Sequence, residues 1–149
     1  MSKPTVAVFD LDGVLANDQH RAHLREAKNW KDYYLEAVND TPINELAWEL
    51  LRNVWFDKAV ILTTRNEDIR EITKEWVSKH FVDFDMNDES VLIMRKSKDF
   101  RPANVVKTEE MLKLMDEYEI AFAIDDDPET CKAYMELGIP TVFIPYRCD

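Results

Sequence analysis

Short apolar runs rich in β-branched residues recur along the chain. Five of them lie at residues 5–10, 59–64, 90–94, 120–125 and 140–145. The runs are apolar nearly throughout instead of alternating with polar residues, which is typical of strands buried on both faces. We therefore predict five strands that belong to one parallel sheet.

Helical patterns separate these runs, with apolar positions three or four residues apart. Thr41 and Pro42 are predicted as the N-cap and first residue of one helix. Asp127 and Pro128 are predicted to begin the last helix, which Gly138 ends as a left-handed cap. The predicted buried stripes are Ile43, Leu46, Ala47, Leu50, Leu51 and Val54; Ile69, Ile72, Trp76 and Val77; Met111, Leu112, Met115 and Tyr118; and Cys131, Tyr134 and Met135.

One stretch, residues 18–40, departs from this alternation. It is polar and carries Trp30, Tyr33 and Tyr34, which predicts a small helical insert over the functional site. Residues 1–149, including this insert, are predicted to form a single α/β domain with a Rossmann-like parallel sheet and helices on both faces. Ligands of such sheets bind at the carboxyl ends of the strands.

Composition narrows the classes of function. The chain has 149 residues and a net charge of −11, which disfavours extensive charge-driven binding to nucleic acid or anionic membranes. Two glycines cannot supply a dinucleotide fingerprint or a P-loop. Cys131 and Cys148 form no CxxC motif or disulfide framework, and no apolar stretch approaches membrane-spanning length. We expect a cytoplasmic protein with no membrane partner.

Carboxylates follow two of the predicted strands. Asp10 and Asp12 come after the first strand, and Asp125 and Asp126 after the fourth. Crowded carboxylates raise one another's pKa unless a cation joins them. An all-oxygen cluster suits Mg²⁺, so these residues predict a magnesium site, with either Asp125 or Asp126 as the direct ligand.

The same strand ends supply the groups that phosphoryl transfer requires. Asp10 can act as a nucleophile that forms an aspartyl-phosphate, and Asp12 can act as general acid and then base. Thr63 at the end of the second strand and Lys107 before the next long helix can hold the phosphoryl oxygens. These residue types predict a phosphomonoesterase.

The segments AVFDLDGVLAN, VILTT and AIDDDPE, together with Lys107, resemble the four motifs of the haloacid dehalogenase (HAD) superfamily of phosphohydrolases, in the same order. A narrower resemblance is to the 3′-phosphatase domain of phage polynucleotide kinase/phosphatase. Its carriers are Arg21 eleven residues after Asp10, then Thr63-Thr64-Arg65, Ile93-Met94-Arg95, Arg101-Pro102-Ala103-Asn104-Val105-Val106-Lys107 and Ala123-Ile124-Asp125-Asp126.

This resemblance implies a HAD fold with a minimal cap and a role for each site residue. Asp10 is the nucleophile and Asp12 the acid/base; Mg²⁺ is bound by Asp10, the Asp12 carbonyl and an acid of the Asp125-Asp126 pair. The resemblance also implies that Thr63 and Lys107 hold phosphate. Its implied substrate contacts are Arg21, Thr64 and Arg65.

The implied partner is a phosphomonoester, with the 3′-phosphorylated end of DNA or RNA as first choice and no obligate protein partner. If the chain is phage-encoded, its compartment is the host cytoplasm. Two positions depart from the family pattern: Thr64 stands where glycine is common, and Ala103 where an acid is common.

Alternatives remain open at this point. A phosphatase of free nucleotides is the second hypothesis. A phospho-accepting receiver domain is a more distant one, because the third strand ends in Met94-Arg95-Lys96 without an acid. The basic residues around Arg95 form either a solvated loop or a contact to a second phosphate. The aromatic residues of the insert serve either local packing or base stacking.

Overall fold

A five-stranded parallel sheet forms the centre of the protein. The computed structural model describes residues 2–43 and 45–145. The described residues form seven strands, five in this main sheet and two in a separate pair, β2 and β3. They are β1 (Thr5–Phe9), β2 (Ala16–Asn17), β3 (Thr41–Pro42), β4 (Lys58–Asn66), β5 (Leu92–Arg95), β6 (Glu119–Asp125) and β7 (Thr141–Phe143). The main sheet has the order β5-β4-β1-β6-β7, and every neighbouring pair in it is parallel. The predicted fold class is confirmed.

Six α-helices accompany these strands in the part of the chain that the structure describes. They are α1 (Ala22–Glu26), α2 (Trp30–Leu35), α3 (Glu45–Asn53), α4 (Arg70–His80), α5 (Ala103–Glu117) and α6 (Pro128–Glu136). Short 3₁₀ turns occupy Gln19–Arg21, Glu36–Asn39, Glu67–Ile69 and Glu89–Val91.

Alternate residues of β1 serve two separate cores. Ala7 and Phe9 pack on the face covered by α3 and α4, with the Trp76 ring among their neighbours. Val6 and Val8 pack on the opposite face, which α5 and α6 cover. Because successive strand side chains point to opposite faces, a residue's position in this alternation decides which helices it meets.

The predicted start of the first long helix is wrong. Thr41 and Pro42 form β3, which pairs antiparallel with β2, and the described part of α3 begins at Glu45. The next amide, of Ile43, donates to the Leu15 carbonyl oxygen at 2.8 Å. This ladder joins the two ends of the insert, so a tertiary pairing overrides the local preference for a helix start.

Four residues of the predicted stripes are largely exposed. Leu46, Val54, Leu112 and Met135 are 40–57% exposed, whereas Trp76, Val77, Met111, Cys131 and Tyr134 are buried as predicted. The stripe of apolar positions is wider than the strip of each helix that the sheet can cover. The predicted boundaries of the last helix hold: Asp127 is the N-cap, Pro128 begins α6, and Gly138 has a φ of 82°.

Residues 18–40 fold into α1, α2 and two flanking 3₁₀ turns. Cys148, one of the two cysteines of the sequence, lies outside the described residues. Within those residues, none of the helices combines the length and apolar character that crossing a bilayer requires.

Candidate active site

A cavity of about 430 Å³ opens at the carboxyl ends of β1, β4 and β6. Its lining includes Asp10 and Asp12 after β1, Thr63 from β4, and the acids that end β6. The insert contributes the rings of Trp30, Tyr33 and Tyr34 to the wall. The cavity thus lies at the edge where the order of the sheet predicts a ligand.

One side of the cavity holds what we call the lysine cluster: Asp10, Lys107, Asp125 and Asp126. Asp10 and Asp125 continue the alternation of Val8 and Ala123, so both face α5. Lys107 lies inside α5, not before it as predicted, because the helix already begins at Ala103. It is on the buried side of α5, and its Nζ donates to Asp10 Oδ1 at 2.9 Å and to Asp125 Oδ2 at 2.6 Å. All three of these residues are nearly inaccessible to solvent.

Electrostatics in the lysine cluster favour binding of a cation. Burial and the neighbouring Asp125 raise the pKa of Asp10 well above its ordinary value, although Lys107 opposes this. Burial also raises the pKa of Asp126, to about 6. One oxygen from each of Asp10, Asp125 and Asp126 lies within 4.8 Å of the others. Three carboxylates against one ammonium therefore fit a divalent ion with oxygen preference, such as Mg²⁺.

The other side holds the arginine cluster: Asp12, Arg21, Asp40 and Arg65. Arg65 continues the alternation of Ile61 and faces α4, where its Nη1 donates to Thr73 Oγ1 at 3.4 Å. Its Nη2 donates to Asp12 Oδ1 and to Asp40 Oδ2, both at 2.7 Å.

Arg21 completes this cluster from the insert. Its Nε and Nη2 donate to the two carboxylate oxygens of Asp40 at 2.8 Å, and Nη2 also reaches Asp12 Oδ1 at 3.1 Å. Its Nη1 donates to the Tyr33 carbonyl oxygen at 3.0 Å. Two arginines and two aspartates balance in charge, so this cluster needs no metal.

The arginine cluster fixes the state of Asp12. Burial raises the pKa of Asp12, but the charges and hydrogen bonds of Arg65 and Arg21 outweigh burial and hold it below its ordinary value. The Asp12 side chain is 16% exposed, and it is the carboxylate of the cluster that reaches the cavity. Asp10 and Asp12 are thus two residues apart in sequence and opposite in environment.

The family comparison agrees with this geometry. Residues 4–146 match the model of a protein family described as the polynucleotide kinase PNKP phosphatase domain. The chain belongs to this family. It is therefore a phosphatase domain of the HAD type, and no curated protein matches it.

Several solved structures have a fold similar to that of this chain. A chain of the Pnkp1/Rnl/Hen1 RNA repair complex is 25% identical, with a TM-score of 0.77, over 95% of this chain and 42% of that one. The present chain thus spans less than half of that relative. A class C acid phosphatase from Bacillus anthracis with bound tungstate is 12% identical over 100% and 69%, with a TM-score of 0.66.

A HAD family enzyme from Bacteroides thetaiotaomicron was solved as a magnesium complex. It is 17% identical over 99% of this chain and 96% of that one, with a TM-score of 0.52. Because both identities are below 25%, the acid phosphatase and this enzyme support the fold of the chain and nothing further.

Thr63 and Thr64 occupy adjacent positions on the cavity wall of this PNKP-family domain. Thr63 is buried, and its Oγ1 accepts a hydrogen bond from the Arg65 amide at 3.1 Å. The hydroxyl proton of Thr63 therefore remains available to a ligand in the cavity. The Thr64 carbonyl oxygen accepts from Arg95 Nε at 3.2 Å.

Arg21 and Arg65, the two arginines to which the resemblance assigns substrate contacts, both contact Asp12. Only one of them lines the cavity. Arg65 is part of the cavity lining, although its guanidinium is turned toward the two aspartates of its cluster. Arg21 is fully buried and lies outside the lining. The structure therefore brings Arg21 to Asp12, not to a position where a substrate would touch it.

Asp40 is the residue that sequence reasoning missed. Its side chain is fully buried and bonded to both arginines, and His20 Nε2 lies 2.7 Å from its Oδ1. Trp76 Nε1 donates to the Asp40 carbonyl oxygen at 2.8 Å, which ties the insert to α4. No local signal marks Asp40, because it stands in a polar insert directly before Thr41.

Proposed function

We propose that this domain is a Mg²⁺-dependent phosphomonoesterase that acts through an aspartyl-phosphate on the 3′-phosphorylated ends of polynucleotides. The observation that carries the proposal is the contrast between Asp10 and Asp12. Asp10 lies with two further carboxylates and Lys107, whereas Asp12 is held by two arginines. A nucleophile and an acid/base need such different surroundings.

The first step uses Asp10 as nucleophile. Its carboxylate oxygen attacks the phosphorus, the bond from phosphorus to the leaving oxygen breaks, and Asp12 donates a proton to that oxygen. The incoming phosphate dianion raises the pKa of Asp12 through like-charge repulsion and so allows it to carry that proton. The Thr63 hydroxyl and the Lys107 ammonium donate to the phosphoryl oxygens.

The second step releases phosphate. Asp12, now ionised, accepts a proton from a water molecule that attacks the phosphorus and breaks its bond to Asp10. Asp10, Asp125 or Asp126 and the Asp12 carbonyl would hold Mg²⁺, which supplies neutralisation of charge on the phosphoryl group. The arginine cluster keeps Asp12 in one orientation through both steps.

The cavity wall supports a nucleic-acid substrate. Trp30 and Tyr34 stack at a centroid distance of 6.2 Å, and the Trp30 side chain is 46% exposed. Exposed aromatic rings beside a phosphate site suit stacking with a base. The RNA repair complex that contains the 25%-identical relative adds support for a polynucleotide end.

A free nucleotide is the second candidate. The net charge of −11 repels a long polyanion, and a cavity of about 430 Å³ has the size of a small-molecule site. A strand end that enters the cavity alone needs only local contacts, so we place the polynucleotide first.

The decisive experiment measures phosphate release with and without Mg²⁺. The substrates are a 3′-phosphorylated oligonucleotide, its 5′-phosphorylated counterpart, nucleoside 3′- and 5′-monophosphates and an aryl phosphate. We expect Mg²⁺-dependent release with the highest kcat/KM for the 3′-phosphorylated oligonucleotide. Preference for a free 5′-nucleotide would overturn the polynucleotide assignment. Absence of release from every substrate, or full activity of Asp10→Asn, would overturn the mechanism.

A further inference from the structure

Arg95, at the end of β5, lines the cavity wall and has no ion-pair partner among the described residues. Its Nη1 donates to the carbonyl oxygens of Asp99 and Arg101 at 2.8 and 2.7 Å, in addition to the bond from Nε to Thr64. These acceptors are neutral. No carboxylate of the described residues lies within ion-pair distance of this guanidinium; the Asp99 carboxylate interacts with its charge but is bound by Arg101. The three bonds therefore fix the side chain without cancelling its charge.

Arg95 differs in this respect from the other arginines of the cavity. Arg65 is bound to the carboxylates of its cluster, and Arg25 Nη1 lies 3.7 Å from the Asp18 carboxylate. Arg101, close to Arg95 in the chain, is bound by Asp99 and Glu109. In a chain with a net charge of −11, a rigid arginine that retains its charge indicates a site for an anion.

The unused donor of Arg95 is Nη2. It donates no hydrogen bond to any residue in the described part of the chain, and it is not among the buried polar atoms without a partner. Nη2 is therefore accessible. A guanidinium that is already oriented loses little freedom when it binds a ligand, which favours a specific contact over a diffuse one.

The position of Arg95 relates this donor to the reacting phosphate. Arg95 donates to the carbonyl oxygen of Thr64, the residue that follows Thr63 in the chain. Thr63 and Arg95 both line the cavity. Tyr34 and Trp30 line the same cavity. The Arg95 charge acts on the Tyr34 hydroxyl, since it opposes the burial that raises the pKa of Tyr34. One cavity thus combines a reaction centre, an aromatic wall and a second anion site.

We propose that Arg95 binds the phosphodiester on the 5′ side of the nucleotide whose 3′-phosphate is removed, and so makes the domain prefer strand ends to free nucleotides. This proposal rests on the proposed function. The two phosphates belong to the same ribose, one on its 3′ oxygen and one on its 5′ oxygen, so a single sugar separates them. One free donor group matches the single charge of a diester better than the two charges of a terminal phosphate.

The experiment compares three substrates for each variant: a nucleoside 3′-phosphate, a dinucleotide with a 3′-phosphate, and the same dinucleotide with an uncharged methylphosphonate linkage. We expect the native protein to have a kcat/KM for the natural dinucleotide roughly 10-fold or more above that for the methylphosphonate. In Arg95→Gln this ratio should fall to near one, and in Arg95→Lys part of it should return. Because each ratio is taken within one variant, a general loss of fold cancels.

Lys96→Gln is the matched control, since it removes one positive charge from an exposed neighbour on the same loop. It should keep the ratio of the native protein. An Arg95→Gln protein that still discriminates between the two linkages overturns the proposal. So does dependence on Arg95 that appears with a nucleoside 3′,5′-bisphosphate but not with the dinucleotide, because the ligand is then a free nucleotide. Failure of the native protein to hydrolyse any 3′-phosphate overturns the proposed function itself.

Discussion

Asp10 belongs to the lysine cluster and Asp12 to the arginine cluster. The two aspartates are two residues apart in sequence but lie in opposite electrostatic environments. In the lysine cluster, three carboxylates share one ammonium, and the pKa of Asp10 is raised. In the arginine cluster, two carboxylates share two guanidinium groups, and the pKa of Asp12 is lowered. The first cluster gains from a cation, whereas the second is complete by itself. Local sequence cannot separate these environments, because they depend on which basic side chains each aspartate meets in the folded protein.

The two clusters also differ in what holds them. The lysine cluster is built from β1, β6 and α5, all of which belong to the central layers. The arginine cluster includes Arg21 and Asp40 from the insert. The environment of Asp12 therefore depends on how the insert is docked, whereas that of Asp10 depends on the sheet and α5.

The largest expected effect comes from exchanging the two aspartates for asparagine one at a time. Asp10→Asn should lower kcat/KM roughly 10³-fold or more, because an amide is a poor nucleophile. It should also reduce the rise in Tm that Mg²⁺ produces. Asp12→Asn should lose activity as well, but it should keep the Tm response, since the Asp12 side chain is turned to the arginines.

These two variants are controls for each other, measured by steady-state kinetics and thermal unfolding. An equal loss of the Mg²⁺ response in both would contradict the assignment of the metal to the lysine cluster.

A smaller effect should follow from Asp40→Asn, which leaves two buried guanidinium groups with one carboxylate. Removal of one partner from a buried ion pair costs roughly 3–5 kcal/mol of unfolding free energy. Urea unfolding measures this loss. The kcat/KM for an alkyl phosphate should fall more than that for a dinitrophenyl phosphate, because the latter leaving group needs no proton from Asp12.

Asp57→Asn is the comparison for that variant. Asp57 accepts a hydrogen bond from the Thr5 amide at 2.8 Å, at the opposite end of β1 and in an exposed position. Its substitution should cost about 1 kcal/mol and affect both phosphates alike. A uniform loss for both substrates in Asp40→Asn would mean that Asp40 supports the fold without orienting Asp12.

The smallest expected effect concerns pH. Folding raises the pKa of Asp126 from 3.8 to about 6, so the folded protein binds this proton more tightly than the unfolded chain. The contribution of Asp126 to the unfolding free energy of the metal-free protein, taken as the difference from Asp126→Asn, should therefore fall by about 1–3 kcal/mol as pH rises from about 4 to about 6. Chemical unfolding in EDTA at several pH values measures this change.

Mg²⁺ should oppose that change, because it binds the ionised form. The increase in Tm on addition of Mg²⁺ should be larger at pH 7 than at pH 5. Asp126→Asn should flatten the pH dependence in EDTA. A native protein that loses no stability relative to Asp126→Asn between pH 4 and pH 6 in EDTA would show that the lysine cluster does not carry the excess negative charge.

Much of the lysine cluster was predictable. Asp10 and Asp125 follow buried apolar runs, and the ends of parallel strands meet at one edge whatever the details of packing. Lys107 is four residues before Met111, so it shares the buried side of α5. The order of the strands brings the carboxylates together, and the earlier start of α5 adds Lys107 to them.

The arginine cluster was predictable only in part. Arg65 follows from the alternation of β4, but the partners of Arg21 do not follow from any local pattern. The Thr41–Pro42 prediction failed for the same reason, since pairing with β2 depends on a segment more than twenty residues away. Local preferences of this kind amount to about 1 kcal/mol and yield to tertiary contacts.

The sequence by itself determined the sheet, the helices that cover it and the edge at which carboxylates meet, because burial acts on periods of two and 3.6 residues. Only the tertiary structure decided that Asp12 is turned from Asp10 toward two arginines, and that Asp40 links them. Those contacts join residues 9 to 53 positions apart, and their geometry depends on how the insert closes on the sheet.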